Sequence, residues 1–224
     1  MKDLSLVQEY MLCAVNEKGK ISGLQTERLV CFVAAGILDL QLEGCLAVEG
    51  KLVRTAAPLP EARRYLQPLY DYISQKKTVK LTAAIEAYQI SFTDKRMREL
   101  TEAVGDSLVG MGMAEERETG LLGRRKGYVP GQEAVRSVVE MLRAEVLEEG
   151  EMTEEAAALA ILLERAKCLK LYFSPFEQKE MAGRIKALVS SPEGRLVKEL
   201  VDHIEALMAA AAASVSAAAS AGSV

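Results

Sequence analysis

Twice in this 224-residue chain, an apolar helical segment runs into a glycine and is followed by a β-hairpin. The first copy spans residues 27–53 and the second spans residues 98–129. In each copy, apolar residues at helical spacing give way to alternating apolar and polar residues around glycine-containing turns. This change of period predicts a helix followed by two short antiparallel strands. Units that combine a helix with such a wing mainly bind a flat anionic partner, DNA or a membrane, and rarely carry covalent chemistry.

In the first copy, we place the end of the helix at Gly36. The alternation of residues 37–42 then predicts one strand, Glu43 and Gly44 a turn, and residues 46–48 the facing strand. Residues 51–54 complete a small sheet. Because the alternating leucines lie on one face behind an apolar helix, we expect Leu42 and Leu46 to belong to the core.

Helical spacing predicts most of the remaining chain. We expect Asp94 and Thr153 to be N-caps and Pro68 to mark a first turn or a kink. The fold class is therefore mainly α, a single globular helical domain over residues 1–208 with small winged-helix-like hairpins, followed by an Ala/Ser-rich tail over residues 209–224. Helices are predicted over residues 4–15, 24–35, 62–74, 78–89, 94–111, 132–147, 153–172, 175–189 and 193–208.

Charge and cysteine usage restrict the partners and the compartment. Charged residues make up 27% of the chain, with a formal net charge of −4, which argues against a general nucleic-acid coat. An anionic partner must therefore be met by a local basic patch. The four cysteines lack paired C-x-x-C spacing and lie in apolar segments, so we expect buried free thiols in a cytoplasmic protein. We expect neither a signal peptide nor a membrane-spanning segment.

Catalytic motifs are missing from the sequence. The chain has one histidine, His203, in a polar stretch of the last predicted helix, where a solvated or capping role is expected. No nucleophile elbow, phosphate-binding loop or zinc-ligand spacing occurs, and the acidic residues between positions 148 and 155 are interpreted as a solvated connection. We therefore expect no enzymatic activity, no catalytic residues, no metal and no cofactor.

The tip of the second hairpin has a different character from the first. Leu121 and Leu122 precede three consecutive cations, Arg124, Arg125 and Lys126. These residues are either an ordinary wing, with packed leucines and solvated cations, or a membrane-contacting hairpin. Each cation near an anionic leaflet contributes about 1 kcal/mol, and each buried leucine roughly 2 kcal/mol. The gross total of about 7 kcal/mol, reduced by ordering costs, predicts weak and reversible attachment.

Two runs of sequence carry a resemblance to a known family. They read LSLVQEYMLCAVNEKGKIS…GILDLQLEGCLAVEGKLV, with an L-x-L-x-G-x-L pattern, and RMRELTEAVGDSLVGMGMAEE…GYVP. With the order of elements, they resemble the Golgi phosphoprotein 3 family, and in particular its shorter bacterial homologues, which lack the long N-terminal extension. The resemblance implies a helical single domain that binds phosphatidylinositol 4-phosphate on the cytosolic face of a membrane. In eukaryotes, the family also holds Golgi glycosyltransferases by their cytosolic tails.

The family's headgroup pocket uses one tryptophan and three arginines. The resemblance carries the tryptophan to Leu24, the first arginine to Val33, and the other two to Arg98 and Thr101. Arg98 alone keeps the family's side chain. We expect Arg96 and Arg28 to compensate in part for the missing cations.

Three functions remain open from the sequence. The first is a non-catalytic peripheral membrane protein that binds an anionic lipid such as a phosphoinositide, with a protein cargo or a second copy as further partner. The second is a tandem winged-helix DNA-binding module, although the helix before the first wing offers only Arg28 as a cation and no nucleic acid is expected as partner. The third is a structural protein that self-associates through its exposed leucines.

Overall fold

The computed structural model describes residues 4–21, 26–89, 94–119, 125–148 and 152–191, together with residues 198, 202, 205, 206 and 209. These residues confirm a mainly α fold with two small antiparallel sheets. Short 3₁₀ turns cover Glu61–Leu66 and Leu169–Leu171. The helices are α1 (Leu6–Ala14), α2 (Thr26–Leu42), α3 (Gln67–Ser74), α4 (Leu81–Gln89), α5 (Lys95–Gly110), α6 (Gln132–Leu147), α7 (Glu154–Arg165) and α8 (Pro175–Val189). The strands are β1 (Leu46–Glu49), β2 (Leu52–Thr55), β3 (Val79–Lys80), β4 (Ala114–Thr119) and β5 (Arg125–Pro130).

Helix α1 lies at the centre of the core. It packs against α2, α5, α6 and α7, and every residue of it except Glu9 is buried. Helix α2 is buried from Val30 through Leu40, and the rings of Tyr10 and Phe32 pack with centroids 6.5 Å apart. A helix that is apolar on all sides needs neighbours on all sides, which explains why α1 and α2 are interior elements.

The predicted end of the first apolar helix is wrong. Helix α2 continues through Gly36 to Leu42, so residues 37–42 are helical and do not form a strand. A Cβ at Gly36 would lie 2.9 Å from a methyl carbon of Leu69, so the glycine allows close packing inside the helix. Leu42 is accordingly a half-buried residue at the helix end, whereas Leu46 is a core residue, as predicted. A short apolar run cannot distinguish a buried helix from a strand by periodicity alone.

Helix α2 ends at Gly44 in a Schellman motif. The Gly44 amide donates to the Gln41 carbonyl at 2.9 Å, and the Cys45 amide donates to the Leu40 carbonyl at 2.8 Å. Gly44 has a φ of +70°, the left-handed conformation that this motif requires and that glycine adopts without steric cost. Gly44 is thus a helix C-cap, where the sequence pattern predicts the turn between two strands.

Helix α5 ends in the same way as α2. The Gly112 amide donates to the Val109 carbonyl, and the Met113 amide to the Leu108 carbonyl, both at 2.9 Å. Gly112 has a φ of +74°. The repeated order of helix and hairpin is therefore confirmed, but the glycine that ends the first helix is Gly44 and not Gly36. The same motif lies between each helix and its first strand.

The two hairpins differ in length and setting. In the first, β1 pairs with β2 in the register Leu46↔Thr55, and β2 also pairs with β3 through Val53↔Val79. In the second, β4 pairs with β5 from Ala114↔Pro130 to Thr119↔Arg125. Residues 120–124, which include the predicted membrane-contacting Leu121, Leu122 and Arg124, lie outside the described residues.

Two further helix boundaries depart from the prediction. Helix α7 ends at Arg165, because Lys167 adopts a φ of +59° and the Cys168 amide donates to the Leu163 carbonyl at 2.8 Å. Helix α4 starts at Leu81, because residues 79 and 80 pair with β2. The predicted helices over residues 132–147 and 175–189 are confirmed by α6 and α8. Most of residues 193–208, with His203, and all of residues 210–224 lie outside the described part, so the predicted boundary at residue 208 stays a prediction.

The residues predicted at helix starts lie at or near the starts of α7, α5 and α3. Thr153 caps α7 by accepting from the Ala156 amide, and Asp94 holds the N-cap position of α5 without a side-chain cap bond. Pro68 lies in the first turn of α3.

All four cysteines are buried and free, as predicted, and burial raises the pKa of the Cys31 thiol to about 12. Such thiols stay protonated and inert at neutral pH.

Two properties of the described residues bear on function. No three His, Cys, Asp or Glu side chains are grouped so that they could hold a metal ion. None of the described helices combines the length with the apolar character that crossing a bilayer demands.

Candidate functional site

A cavity of about 350 Å³ opens between α5, the end of α4, strand β5 and the loop that follows α1. From α5 it is lined by Met97, Arg98, Thr101 and Glu102, residues that share one helix face. Its size falls within the ordinary range of small-molecule sites. The cavity lies directly beside the second hairpin, because β5 forms one of its walls.

Two residues that the resemblance assigns to a headgroup pocket line this cavity together. Arg98 is exposed at the cavity wall, and Thr101 lies one helical turn further along α5. The Thr101 hydroxyl donates to the Met97 carbonyl at 2.7 Å. The hydrogen of the Thr101 hydroxyl is already used inside the helix, so Thr101 offers little to an anion. Among the described residues, Arg98 is the only cation that α5 contributes to the cavity wall.

Tyr128 anchors the hairpin to α5. Its side chain is 1% exposed, and its hydroxyl donates to Asp106 Oδ1 at 2.7 Å. Its ring packs on Gly105, where an added Cβ would lie only 2.4 Å from two ring carbons. Only a residue without a side chain allows the ring to approach the helix this closely. The position of β5 at the cavity wall is therefore set by tight packing on the core.

The loop after α1 is folded onto the same strand. The amides of Lys18 and Lys20 donate to Asn16 Oδ1 at 2.9 and 3.2 Å, which closes the loop on itself. The Tyr128 amide donates to the Gly19 carbonyl at 2.8 Å. Gly19 has a φ of +67°, and a Cβ there would collide with the Tyr128 backbone at 2.3 Å. This contact places Lys20 at the cavity wall, on the side that Arg125 also lines.

The cations around the cavity differ in how far they are neutralised. Lys126 pairs with Glu116 at 2.9 Å and with Asp106 at 3.3 Å. Lys20, Arg98 and Arg125 form no ion pair with any described residue, although the carboxylates of Asp94 and Glu102 also line the cavity. Burial, and then the charges of Arg125 and Lys18, lower the pKa of Lys20. Because these cations repel one another, binding of an anion between them would lower the electrostatic free energy of the cavity.

Three of the predicted headgroup residues lie elsewhere. Val33 is fully buried in the core, so it cannot contact a ligand. Arg28 is also buried, and its Nη1 donates to the Ala14 carbonyl at 2.9 Å, where it caps the end of α1. The guanidinium of Arg96 lies 5.4 Å from the ring centre of Tyr72, outside the cavity. Neither Arg28 nor Arg96, the two arginines expected to compensate in part for the missing cations, therefore lines this cavity. Leu24 lies outside the described residues.

The sequence reasoning missed Lys20 and Tyr128 as parts of this site. The run Asn16-Glu17-Lys18-Gly19-Lys20 indicates a turn with two lysines, but nothing in it shows which element the turn contacts. The glycines at positions 105 and 127 were the features of the sequence that could have indicated these contacts. A Cβ at Gly127 would lie 2.2 Å from the Lys18 carbonyl oxygen, so both glycines mark close backbone approaches.

A second cavity, of about 250 Å³, is acidic. It lies where α1, α2, α6 and α7 meet. Burial, followed by the charge of Asp39, raises the pKa of Glu9 to about 8, and burial raises that of Asp39 to about 6. Among the described residues, Arg63 is the one cation on its wall, and it is paired with Glu43. This cavity repels anions, so it does not compete with the first cavity for a phosphate. Its carboxylates are Glu9, Asp39, Glu43, Glu145 and Glu155.

Comparison with known proteins identifies the family. A search of curated proteins finds no match to the chain. The family model described as Golgi phosphoprotein 3 (GPP34) matches residues 6–204, which include both helix-plus-hairpin units and every element around the first cavity. A match over so much of the chain confirms the resemblance that the two sequence runs carry. The chain belongs to the Golgi phosphoprotein 3 (GPP34) family.

Proposed function

We propose that this protein is a non-catalytic peripheral membrane protein that binds an anionic lipid through the first cavity and the adjoining hairpin. One observation carries the proposal. The cavity brings Arg98 and Thr101, at the family's headgroup positions, together with Arg125 and Lys126 of the basic hairpin. A lipid held in the cavity would thus place Arg125 and Lys126, at the start of β5, near the bilayer surface.

Electrostatics determines how strong this attachment is. The net charge of −4 repels an anionic leaflet, so binding depends on the local patch. Each cation near the leaflet contributes about 1 kcal/mol, and Lys126 contributes less than that because two carboxylates already neutralise it. Affinity is therefore low for a single chain, falls steeply with salt, and gains from any self-association that multiplies weak contacts. Since family members bind phosphatidylinositol 4-phosphate, a phosphoinositide is the first lipid to test.

The DNA-binding alternative loses support from the position of α2. In a winged-helix reader, the helix before the wing inserts side chains into the major groove. Helix α2 is instead buried from Val30 through Leu40, and Arg28, its expected cation, is buried as well. The helix before the first wing therefore has no exposed face with which to read bases.

Co-sedimentation with vesicles tests the proposal. We expect the protein to sediment at low salt with phosphatidylcholine vesicles that contain phosphatidylinositol 4-phosphate or phosphatidylserine, and not with phosphatidylcholine alone. Replacing Arg124, Arg125 and Lys126 by Ser should remove most of this binding. Because the described ion pairs of Lys126 are exposed, the thermal midpoint should stay within about 2–4 °C, the shift that 1 kcal/mol produces at this size.

A matched control removes the same number of cations from the other hairpin region. Lys51, Lys77 and Lys80 are exposed around the first sheet and do not line the cavity, so their triple replacement by Ser should leave sedimentation unchanged. Equal losses of vesicle binding in the two triple variants would show that binding responds to net charge alone. If the parent protein never sediments at low salt, or binds duplex DNA more tightly than vesicles, the membrane proposal fails.

A further inference from the structure

The outer face of the first sheet combines an exposed leucine with an exposed lysine. Directly paired residues of antiparallel strands lie on the same face, so Leu52 of β2 and Lys80 of β3 share one face of the sheet. The next pair, Val53 and Val79, lies on the opposite face and is buried in the core. Leu52 is 45% exposed, although it is a large apolar residue on the middle strand of the sheet. The outer face is therefore open to a partner.

Two more lysines lie beside this pair. Lys51 belongs to the turn between β1 and β2, and its carbonyl accepts from the Leu81 amide at 2.9 Å, which holds the turn against the end of β3. Lys77 comes three residues before Lys80, so their Cα atoms lie at most about 11 Å apart, roughly one Debye length at 0.1 M ionic strength. We call the surface formed by Lys51, Leu52, Lys77 and Lys80 the first-sheet face.

A second pair of cations borders the first-sheet face. The Nζ atom of Lys76 lies 4.9 Å from the centre of the Tyr72 ring, and the guanidinium carbon of Arg96 lies 5.4 Å from it. The Tyr72 hydroxyl donates to the Ala83 carbonyl at 3.1 Å, which fixes the ring. An aromatic ring attracts a cation but does not neutralise its charge. Because Lys76 directly precedes Lys77, this pair adds to the positive potential of the first-sheet face.

The cations on and beside the first-sheet face form no ion pair with any described residue. Glu49, which faces Leu52 from β1, is paired with Arg54 at 2.9 Å. In a chain with a net charge of −4, this surface is thus a local region of unneutralised positive charge. Bound carboxylates would relieve the repulsion between the cations. The cations concerned are Lys51, Lys76, Lys77, Lys80 and Arg96.

We propose that the first-sheet face binds an acidic protein segment that carries an apolar residue among its carboxylates. The carboxylates pair with the lysines, and the apolar side chain covers Leu52, so the partner matches the face in both charge and hydrophobicity. Residues 51, 52, 77 and 80 do not line the first cavity. The inference therefore goes beyond the proposed function, because it assigns a second partner to a separate surface.

The same observations disfavour a nucleic acid and a membrane as the partner of this face. A duplex carries a charge every ~1.7 Å along its axis, so the net charge of −4 repels it over its whole length, whereas a short peptide brings few charges. The sugar–phosphate backbone also offers little apolar surface to cover Leu52. Insertion into acyl chains needs a protruding side chain, and Leu52 lies on the middle strand, between β1 and β3.

Fluorescence anisotropy of labelled peptides tests the proposal. The probe is the peptide GEELEEG, compared with GQQLQQG, which lacks the charges, and GEESEEG, which lacks the apolar residue. We expect saturable binding of GEELEEG at low salt that is lost at high salt, weaker binding of GEESEEG, and no binding of GQQLQQG. If the parent protein does not bind GEELEEG saturably at low salt, the proposal is overturned.

The triple replacement of Lys51, Lys77 and Lys80 by Ser is the decisive variant, and the hairpin triple variant is its matched control. The first-sheet triple should weaken binding of GEELEEG about tenfold, the sum of three modest exposed charge pairs, and leave vesicle sedimentation unchanged. The hairpin triple should do the reverse. Leu52→Thr keeps the charge and the strand preference, and it should lower GEELEEG binding to the level of GEESEEG. All four side chains are exposed, so thermal midpoints near that of the parent will confirm folding.

The outcomes separate this inference from the membrane proposal. Selective loss of peptide binding in the first-sheet triple supports the inference even if no vesicle binds the parent. Equal losses of peptide binding in the two triple variants would show a response to net charge and would overturn it. It is also overturned if the first-sheet triple loses vesicle sedimentation but keeps peptide binding, which would make the face a membrane contact. Tighter, lysine-dependent binding of a duplex oligonucleotide than of GEELEEG would identify a nucleic acid as the partner instead.

Discussion

Replacing Glu9 by Gln should stabilise the protein, and more so as the pH rises. Burial and the charge of Asp39 raise the pKa of Glu9 from its ordinary 4.5 to about 8. A carboxyl whose pKa is raised by folding binds its proton more tightly in the native state. Its contribution to stability is therefore complete below pH 4.5, is lost as the pH rises from there to about 8, and then stays constant.

The size of the effect follows from the pKa difference. At pH 7, holding Glu9 in its native site costs about 3 kcal/mol relative to a residue that cannot ionise, and between pH 7 and 9 the cost grows by roughly 1.4 kcal/mol. Gln has nearly the same shape as protonated Glu and avoids this cost. For a domain of this size, about 3 kcal/mol corresponds to a rise of ~6–12 °C in thermal midpoint at pH 7.

Urea denaturation at pH 5, 7 and 9 measures the effect directly. The parent should lose stability from pH 5 to 9, and Glu9→Gln should lose much less. Glu86→Gln, an exposed replacement on α4, is the control and should follow the parent. Parallel curves for the parent and Glu9→Gln would refute the raised pKa of Glu9.

Two further predictions concern the packing that positions the site and the core. Gly105→Ala should destabilise the protein by about 1–3 kcal/mol, because the new Cβ would collide with the Tyr128 ring. Gly110→Ala, in the same helix but with open space around it, should be neutral or stabilising. Equal changes in the thermal midpoints of the two variants would contradict the tight contact at Gly105. Leu46→Ala should lower the free energy of unfolding by about 2–5 kcal/mol, and Leu42→Ala should lower it clearly less, because Leu46 is buried and Leu42 is only half-buried. Equal denaturant midpoints for the two variants would support the strand interpretation of residue 42.

Local chemistry alone was enough to predict much of the fold. Helical spacing located α6 and α8, and Thr153 marks the start of α7 because its hydroxyl satisfies a free amide of the first turn. The order of helix and hairpin in the two units could also be read from the sequence, although the helix end in the first unit was placed at Gly36 instead of Gly44. Glycine after a helical run permits the left-handed residue that ends it. These features depend on neighbours within a few residues.

Boundaries within apolar runs required the tertiary structure. Residues 37–42 satisfy both a strand and a helix pattern, and α2 continues through them because it is surrounded by the core, with Gly36 packed on Leu69. In the same way, Val33 and Arg28 could be taken for ligand-binding residues until burial placed them in the interior. Periodicity gives no information about how many sides of a helix are covered.

The sequence by itself determined the helical fold, the paired helix-and-hairpin units and the basic character of the second hairpin. The cavity, by contrast, was decided only in three dimensions. Arg98 and Lys20 are far apart in the chain and share no pattern. They line one space because Tyr128 packs on Gly105 and its amide donates to the Gly19 carbonyl. A close backbone approach of this kind depends on the shapes of both partners, so neither segment reveals it alone.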